Sequence, residues 1–268
     1  MCNILNLKVL DDEGIGTEEE VVLAIDDCIN MYEEGSLYAP DVMNLSLGAP
    51  DDGNPNNPLR VACRAAIEKG IWVMASAGNG GPAMSTITSP ACERYVGAVG
   101  SVKYEPFQVS TWSSRGPTKE GVAKPDAVFF GEDIVVASSE SDTATVAKSG
   151  TSFSTPFISG LTVLYHEGVI RRVQVETGVL PGVTEKRELV SLERMLDEGL
   201  PIICVKPQEV FAGKDYDYGY GMPWGTLVAQ EMGITPAVDI SYIVSIVTPF
   251  LVLGMMGMVI SSMTEGFR

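Results

Sequence analysis

The chain has 268 residues, of which 35 are acidic and 18 basic, so its formal net charge is −17. The absence of Lys and Arg clusters in so acidic a chain argues against nucleic-acid binding. Its five cysteines lie far apart without zinc-ligand spacing, so neither a disulfide framework nor a zinc site is predicted. The acidic segment Asp51–Asn54 fits no defined calcium cage, and no cofactor is expected.

Strand-like and helix-like segments alternate along the first third of the chain. A capping box at Thr17 and Glu20 opens one predicted helix, and Pro58 is typical of the first residue of another. This alternation predicts an α/β fold with a doubly wound parallel sheet. The predicted helices end near Gly35 and Gly70, and the predicted strands are Asn3–Leu10, Val42–Leu47, Ile71–Ala75 and, much later, Leu200–Val205.

Two short segments carry the chemistry. The segment SGTSFSTP, Ser149–Pro156, places Ser152 at the start of an apolar helix, where backbone N–H groups favour developing negative charge. The segment SAGNGGP, Ser76–Pro82, places the Asn79 amide just after a buried strand, where it could donate to an oxyanion. Taken singly, the first could be a helix cap and the second an Asn-Gly turn.

Together with four further segments in the same order, these motifs resemble the subtilisin-like serine proteases (subtilases, peptidase S8). The resemblance covers about residues 1–232. Phe129-Phe130-Gly131 departs from it, because the family usually has Ala-Pro-Gly there. The four further segments are YVGAVG (95–100), SSRGP (113–117), KPD (124–126) and DYDYGYG (215–221).

The resemblance implies a role for each site residue. Ser152 would be the catalytic nucleophile and Asn79 the oxyanion donor. Two Gly-rich walls would bind an extended peptide, one of them pairing with its backbone and the other facing the side chain before the cleaved bond. The first wall is Leu45, Ser46, Leu47 and Gly48, and the second is Ser76, Ala77 and Gly78.

The family's catalytic aspartate and histidine are missing from the pattern. In the family, their Asp-Ser/Thr-Gly and His-Gly-Thr motifs precede the strand that Ile4–Leu10 resembles. The single histidine, His166, is expected near the far end of the serine helix, about 20 Å from Ser152. The isolated chain is therefore expected to be nearly inert. A companion polypeptide is expected to complete the sheet near Asn3–Leu10; the alternatives are a rearranged domain and a chain that is a shortened form of a longer product.

The C-terminal segment Ile240–Met263 contains 24 residues without a charge. As a helix it would span about 36 Å, enough for the hydrocarbon core of a bilayer. A transmembrane anchor is predicted, with a buried core helix as the alternative. We therefore expect a subtilisin-like domain at 1–233, elaborated at 167–213, and a membrane anchor at 234–268. The simplest arrangement places the globular domain in the cytoplasm.

Two functional hypotheses follow. The first is a noncatalytic subunit of a membrane assembly that uses the fold as a structural or peptide-binding scaffold, which the missing Asp and His favour. The second is the Ser-bearing half of a split serine endopeptidase whose Asp and His come from a companion chain. The retained Ser152 and Asn79 motifs favour the second, because a scaffold needs neither.

Overall fold

The computed structural model describes residues 3–178, 191–207, 213–223 and 227–228. Three long helices, α1 (Glu18–Glu33), α2 (Pro58–Glu68) and α3 (Thr151–Thr177), accompany a central sheet. Two short helices, α4 (Leu192–Arg194) and α5 (Leu200–Ile203), flank a π-helical turn at Met195–Gly199.

Four strands form the parallel core of the sheet. They are β1 (Val42–Leu45), β3 (Trp72–Ser76), β5 (Gly97–Lys103) and β7 (Ala127–Phe130), and they neighbour one another in that order. The strand β6 (Gln108–Val109) pairs antiparallel with the end of β5. Three antiparallel pairs lie outside this sheet: β2 (Ala49–Pro50) with β4 (Thr88–Ser89), β8 (Ile134–Ala137) with β9 (Thr145–Lys148), and β10 (Cys204–Val205) with β11 (Met222–Pro223).

Side-chain alternation on β3 divides the core into two layers. Val73 and Ala75 belong to the cluster that contains buried residues of α1 and α2. Trp72 and Met74 belong to the cluster that contains Ile158 of α3. Because successive strand residues face opposite sides of a sheet, the helices cover both faces. The predicted α/β fold with a parallel sheet is confirmed.

Capping interactions fix the starts of α1 and α2. The Thr17 hydroxyl accepts a hydrogen bond from the Glu20 N–H, and the Glu20 carboxylate accepts one from the Thr17 N–H at 2.7 Å. Asn57 caps α2 by accepting from the Leu59 N–H at 3.0 Å. Both helices therefore begin at the predicted positions, because local side chains satisfy N–H groups that have no partner within the helix.

A buried ion network joins the KPD segment, the backbone of β5 and the chain just before the GYG segment. The Asp126 carboxylate accepts from Lys124 at 2.6 Å, from Lys214 at 2.5 Å and from the Ala98 N–H at 2.7 Å. The Tyr220 N–H donates to the Asp126 carbonyl at 2.9 Å. A Cβ atom at Gly219 would lie 2.4 Å from that same carbonyl oxygen, so this close approach requires glycine.

Three sequence predictions need correction. Asn3–Leu10 contains no strand, because it lacks ladder pairing, although Leu10 is buried and Leu7 and Val9 pack against the core. The predicted strand at Leu200–Val205 is reduced to Cys204–Val205, since Leu200–Ile203 is helical. The serine helix continues to Thr177, so His166 lies within it and not near its end.

The predicted membrane helix, Ile240–Met263, lies outside the described residues, as does the stretch 179–190. Within the part of the chain that the structure describes, no helix is both long and apolar enough to span a bilayer. The division into a domain at 1–233 and an anchor at 234–268 therefore stays a prediction.

Candidate active site

Ser152 is the second residue of α3, and the chain around the helix start is held from two sides. The Gly150 N–H donates to the Gly131 carbonyl at 2.8 Å, and the Asp133 N–H donates to the Ser149 hydroxyl at 2.9 Å. The neighbouring Phe153 is buried against Val136 of β8. Ser152 is 6% exposed and lies in the first turn, where the helix dipole favours negative charge.

Reciprocal hydrogen bonds tie Ser152 to the predicted substrate strand. The Ser152 Oγ donates to the Ser46 carbonyl at 3.0 Å, and the Ser46 Oγ donates to the Ser152 carbonyl at 3.0 Å. These residues are 106 positions apart in sequence. The structure therefore brings Ser46, directly after β1, against Ser152.

Asn79 lies beside the same helix start. Its Oδ1 accepts from the Thr151 N–H at 3.0 Å and from the Thr151 Oγ1 at 3.1 Å. The Gly78 N–H donates to the Thr151 Oγ1 at 3.2 Å, which fixes the loop to the helix. Because Oδ1 faces Thr151, Nδ2 is left as the available donor, and it lies 3.6 Å from the position of a Cβ on Gly150.

This arrangement has the chemistry of an oxyanion site. An amide donor and the N–H groups of a helix start both stabilise developing negative charge on an oxygen. In the described part of the chain, Asn79 Nδ2 has no hydrogen-bond partner. Sequence reasoning named Asn79 but missed Thr151 as the residue that orients it, although Thr151 lies directly before Ser152 in the segment Ser149–Pro156.

The SSRGP segment supports the Asn79 loop. Ser114 donates its N–H to the Gly78 carbonyl at 2.9 Å, and its Oγ accepts from the Gly80 N–H at 3.0 Å. The Gly81 N–H donates to the Trp112 carbonyl at 2.9 Å. These bonds hold both flanks of Asn79, which explains why the motif accompanies the Asn loop.

The two predicted pocket walls face each other across Thr88. Ser76 Oγ donates to the Leu47 carbonyl at 3.3 Å and so joins the walls at one end. A Cβ at Gly48 would lie 2.8 Å from Thr88 Oγ1, and one at Gly78 would lie 2.6 Å from Thr88 Cγ2. Ala77 belongs to the same wall and accepts from the Thr88 N–H through its carbonyl at 3.0 Å. Thr88, which no sequence motif identified, therefore fills the space between the walls.

His166 does not belong to this site. Its ring packs edge-on against Trp72, with ring centroids 5.4 Å apart. At 1.5 Å per residue, it lies about 21 Å along α3 from Ser152. In the described residues, the only hydrogen-bond acceptor for the Ser152 hydroxyl is the Ser46 carbonyl. A neutral carbonyl cannot remove the serine proton.

The described residues contain no group of three or more His, Cys, Asp or Glu side chains arranged to hold a metal ion. Asp51, in the acidic loop considered for calcium, instead accepts from the Gly53 N–H at 2.9 Å within its own turn.

Comparisons with known proteins agree with this geometry. The model of the subtilase family, Peptidase_S8, matches residues 1–180. The serine protease AprX of Bacillus subtilis is 32% identical over an alignment of 184 positions that covers 61% of this chain and 42% of AprX. Subtilisin-like protease 9 of Arthroderma benhamiae is 34% identical over 161 residues, covering 60% of this chain and 36% of that protein. The chain thus spans about two fifths of the length of these relatives.

Two solved structures share the fold. The prenylagaramide maturation protease PagA superposes with a TM-score of 0.60 at 21% identity, covering 83% of this chain and 70% of PagA. Sphericase superposes with a TM-score of 0.57 at 23% identity, covering 81% of this chain and 66% of Sphericase. With the family model matching two thirds of the sequence, the chain belongs to the subtilase family.

Proposed function

We propose that this chain supplies the nucleophile, the oxyanion donor and the substrate strand of a subtilisin-like serine endopeptidase site. In this proposal, polypeptide outside the present sequence supplies the residue that accepts the serine proton. The observation that carries the proposal is the pair of hydrogen bonds that Thr151 donates to Asn79 Oδ1 from its N–H and its hydroxyl. This pair leaves Asn79 Nδ2 free beside the start of α3, where Ser152 lies.

The residues of this chain account for the covalent half of the reaction. A peptide lying along Leu45–Gly48 would present its carbonyl carbon to Ser152 Oγ. As Ser152 Oγ attacks, it gives up its hydrogen bond to the Ser46 carbonyl and transfers its proton to the external base. The carbonyl oxygen of the substrate then becomes negative. Asn79 Nδ2 and the N–H groups of the first turn of α3 would stabilise that oxygen. The proton then passes to the departing amine, and water later hydrolyses the acyl-serine.

The need for an external base follows from the composition of the site. A serine hydroxyl without a base is a weak nucleophile at neutral pH. In subtilisin, loss of the histidine costs about 2 × 10⁶ in turnover. His166 is the only histidine in the sequence, and it contacts Trp72 and not Ser152.

The free edge of the sheet is where such polypeptide would bind. In the described residues, β1 pairs with β3 and with no other strand. A strand added to β1 would run about 4.8 Å from β1. Because the chain leaving β1 reaches Ser46, which contacts Ser152, such a strand would pass near the site. Ile4 and Leu5 of the Asn3–Leu10 segment are 56% and 42% exposed and would gain burial from a partner.

A noncatalytic role is the second candidate. It is favoured by the absence of a titratable side chain bonded to Ser152 in the described residues. In that case, the domain would serve as a membrane-anchored scaffold that holds an extended peptide. The anchor, Ile240–Met263, rests on hydropathy alone in both candidates.

A fluorophosphonate probe separates the two candidates. Purified full-length chain and extracts of cells that naturally express it, including their membrane fraction, are treated with the probe. The peptide containing Ser152 is then examined by mass spectrometry. We expect an adduct in the extracts, and labelling at least about 10³-fold slower in the isolated chain.

Two variants make the experiment specific. Ser152→Ala should abolish the adduct. Ser154→Ala serves as the matched control, because Ser154 lies two residues further along α3 and its buried hydroxyl has no hydrogen-bond partner in the described residues. It should label like the wild type. Absence of an adduct in every extract would favour the scaffold and contradict the proposed enzyme.

A further inference from the structure

We propose that Asn44 and Ser159 are positioning residues that act through Ser46 to hold Ser152 in place. The four residues form a chain of hydrogen bonds between β1 and α3. The inference rests on the proposed function, since the residue that it positions is the proposed nucleophile. Neither Asn44 nor Ser159 belongs to a motif that identified the site.

The bonds of this relay run in one direction. Ser159 Oγ donates to Asn44 Oδ1 at 2.8 Å, and Asn44 Nδ2 donates to Ser46 Oγ at 2.9 Å. Ser46 Oγ in turn donates to the Ser152 carbonyl at 3.0 Å. Because Asn44 and Ser46 Oγ in the middle of the relay each accept one bond and donate the next, the bonds polarise one another. Each side chain of the relay therefore fixes the proton direction of its neighbour.

The relay sets the orientation of the Ser46 hydroxyl. Ser46 Oγ has a single proton, which it can direct either to the Ser152 carbonyl or to another acceptor. With the Asn44 amide nitrogen facing it, Ser46 Oγ accepts on that side and its proton turns to Ser152. This keeps the Ser46 carbonyl within 3.0 Å of the Ser152 hydroxyl. The substrate strand and the nucleophile thus keep a constant separation.

Ser159 determines which end of the Asn44 amide faces Ser46. Asn44 is exposed, so water competes for its amide. Ser159 is buried, 7% exposed, and lies two helical turns from Ser152 on the same face of α3. The Thr155 carbonyl lies 3.0 Å from the same hydroxyl, so the single Ser159 proton is shared between that carbonyl and Asn44 Oδ1, with the shorter contact to Asn44. A fixed donor on α3 therefore orders an exposed side chain on β1.

Two substitutions break the relay in different ways. Ser159→Ala removes the donor that orients Asn44. Asn44→Asp replaces the amide by a carboxylate, which can only accept, so Ser46 Oγ should turn its proton to the new carboxylate and release the Ser152 carbonyl. Thr162→Val is the matched control, because Thr162 makes the same bond to its own helix, to the Ile158 carbonyl at 2.8 Å, but takes no part in the relay.

The first readout is the kinetics of Ser152 labelling by a fluorophosphonate, measured on the full chain in extracts of its natural cells. We expect the inactivation rate constant to fall about tenfold in Ser159→Ala and up to about 10²-fold in Asn44→Asp, because small misplacements of a reacting group have effects of this size. The affinity for the probe should stay at the wild-type value in both variants. The inactivation rate constant of Thr162→Val should also equal that of the wild type. Equal rate constants in Ser159→Ala and Thr162→Val would overturn the relay.

The second readout does not need activity. Side-chain ¹⁵N relaxation of the full chain should give the Asn44 amide a high order parameter in the wild type and in Thr162→Val. In Ser159→Ala it should fall below about 0.6, a value typical of flexible groups. If the wild type is not labelled by the probe, the proposed enzyme fails while this readout still decides the relay. An unchanged order parameter in Ser159→Ala would overturn the relay by itself.

Discussion

Replacement of Asp126 by Asn tests the buried ion network that joins the KPD segment to the chain just before the GYG segment. The Asp126 side chain is 2% exposed and that of Lys124 is fully buried. Asparagine keeps an acceptor for the Ala98 N–H but removes the negative charge. Removing one partner of a buried ion pair costs about 3–5 kcal/mol, because the remaining charge stays buried without compensation. For a domain of this size, we expect the melting temperature to fall by roughly 6–20 °C.

The pH dependence of this loss has a definite sign. Burial by itself would raise the pKa of Asp126, but Lys124 and Lys214 hold it below its ordinary value of 3.8. A lowered carboxyl pKa contributes stability above the unfolded-state value, and that contribution is lost as the pH falls through the folded-state value. The difference between wild type and Asp126→Asn should therefore be full at pH 7 and shrink below pH 3.8.

Thermal unfolding followed by circular dichroism at about pH 7 and about pH 3 measures the stability loss of Asp126→Asn and its change with pH. Lys69→Met is a suitable control, since Lys69 pairs with Glu33 at the surface and such a pair contributes little. A loss below about 1 kcal/mol for Asp126→Asn at neutral pH would refute the reasoning, since the network would then lack the expected coupling. A difference from wild type of equal size at both pH values would refute it as well.

Three further predictions concern the site and its support. Asn79→Asp keeps the acceptor for Thr151 but removes the Nδ2 donor, so Ser152 labelling in natural extracts should slow by about 10²–10³; retention of more than a tenth of the rate would argue against an oxyanion role. Thr88→Ala should open the space between Gly48 and Gly78. A peptide library should then show a higher ratio of cleavage after large residues to cleavage after small residues. An unchanged ratio would exclude Thr88 from the pocket. Thr17→Ala should destabilise the domain by about 1 kcal/mol in urea unfolding through loss of the α1 cap, whereas Ala at the exposed Thr143 should have almost no effect; equal losses would disprove the capping argument.

Local patterns predicted much of this fold. The Thr17 and Glu20 pair, Pro58 and the apolar run of β3 each specify an element through contacts within a few residues, so one sequence suffices to find them. Ser152 and Asn79 each lie in a short motif that the family resemblance identified, and the structure brings the two motifs together at the start of α3, while their catalytic roles stay predictions. The parallel arrangement of the sheet followed from the order of the elements.

Features that depend on distant partners were not predictable. Asn3–Leu10 has a strand-like composition, but a strand exists only where a neighbour pairs with it. The contact between Ser159 and Asn44 joins residues 115 positions apart. Thr88 lies between Gly48 and Gly78 only because folding places these glycines on either side of it. No spacing in the sequence carries this information.

The most direct test of the central claim is the pH dependence of Ser152 labelling in natural extracts. If polypeptide outside this sequence supplies a histidine base, the labelling rate should fall about tenfold per pH unit below an apparent pKa near about 6.5. His166→Gln should leave that profile unchanged, because His166 lies about 21 Å from Ser152 along α3. A rate without inflection between about pH 5 and pH 8, or an inflection that disappears in His166→Gln, would contradict the account.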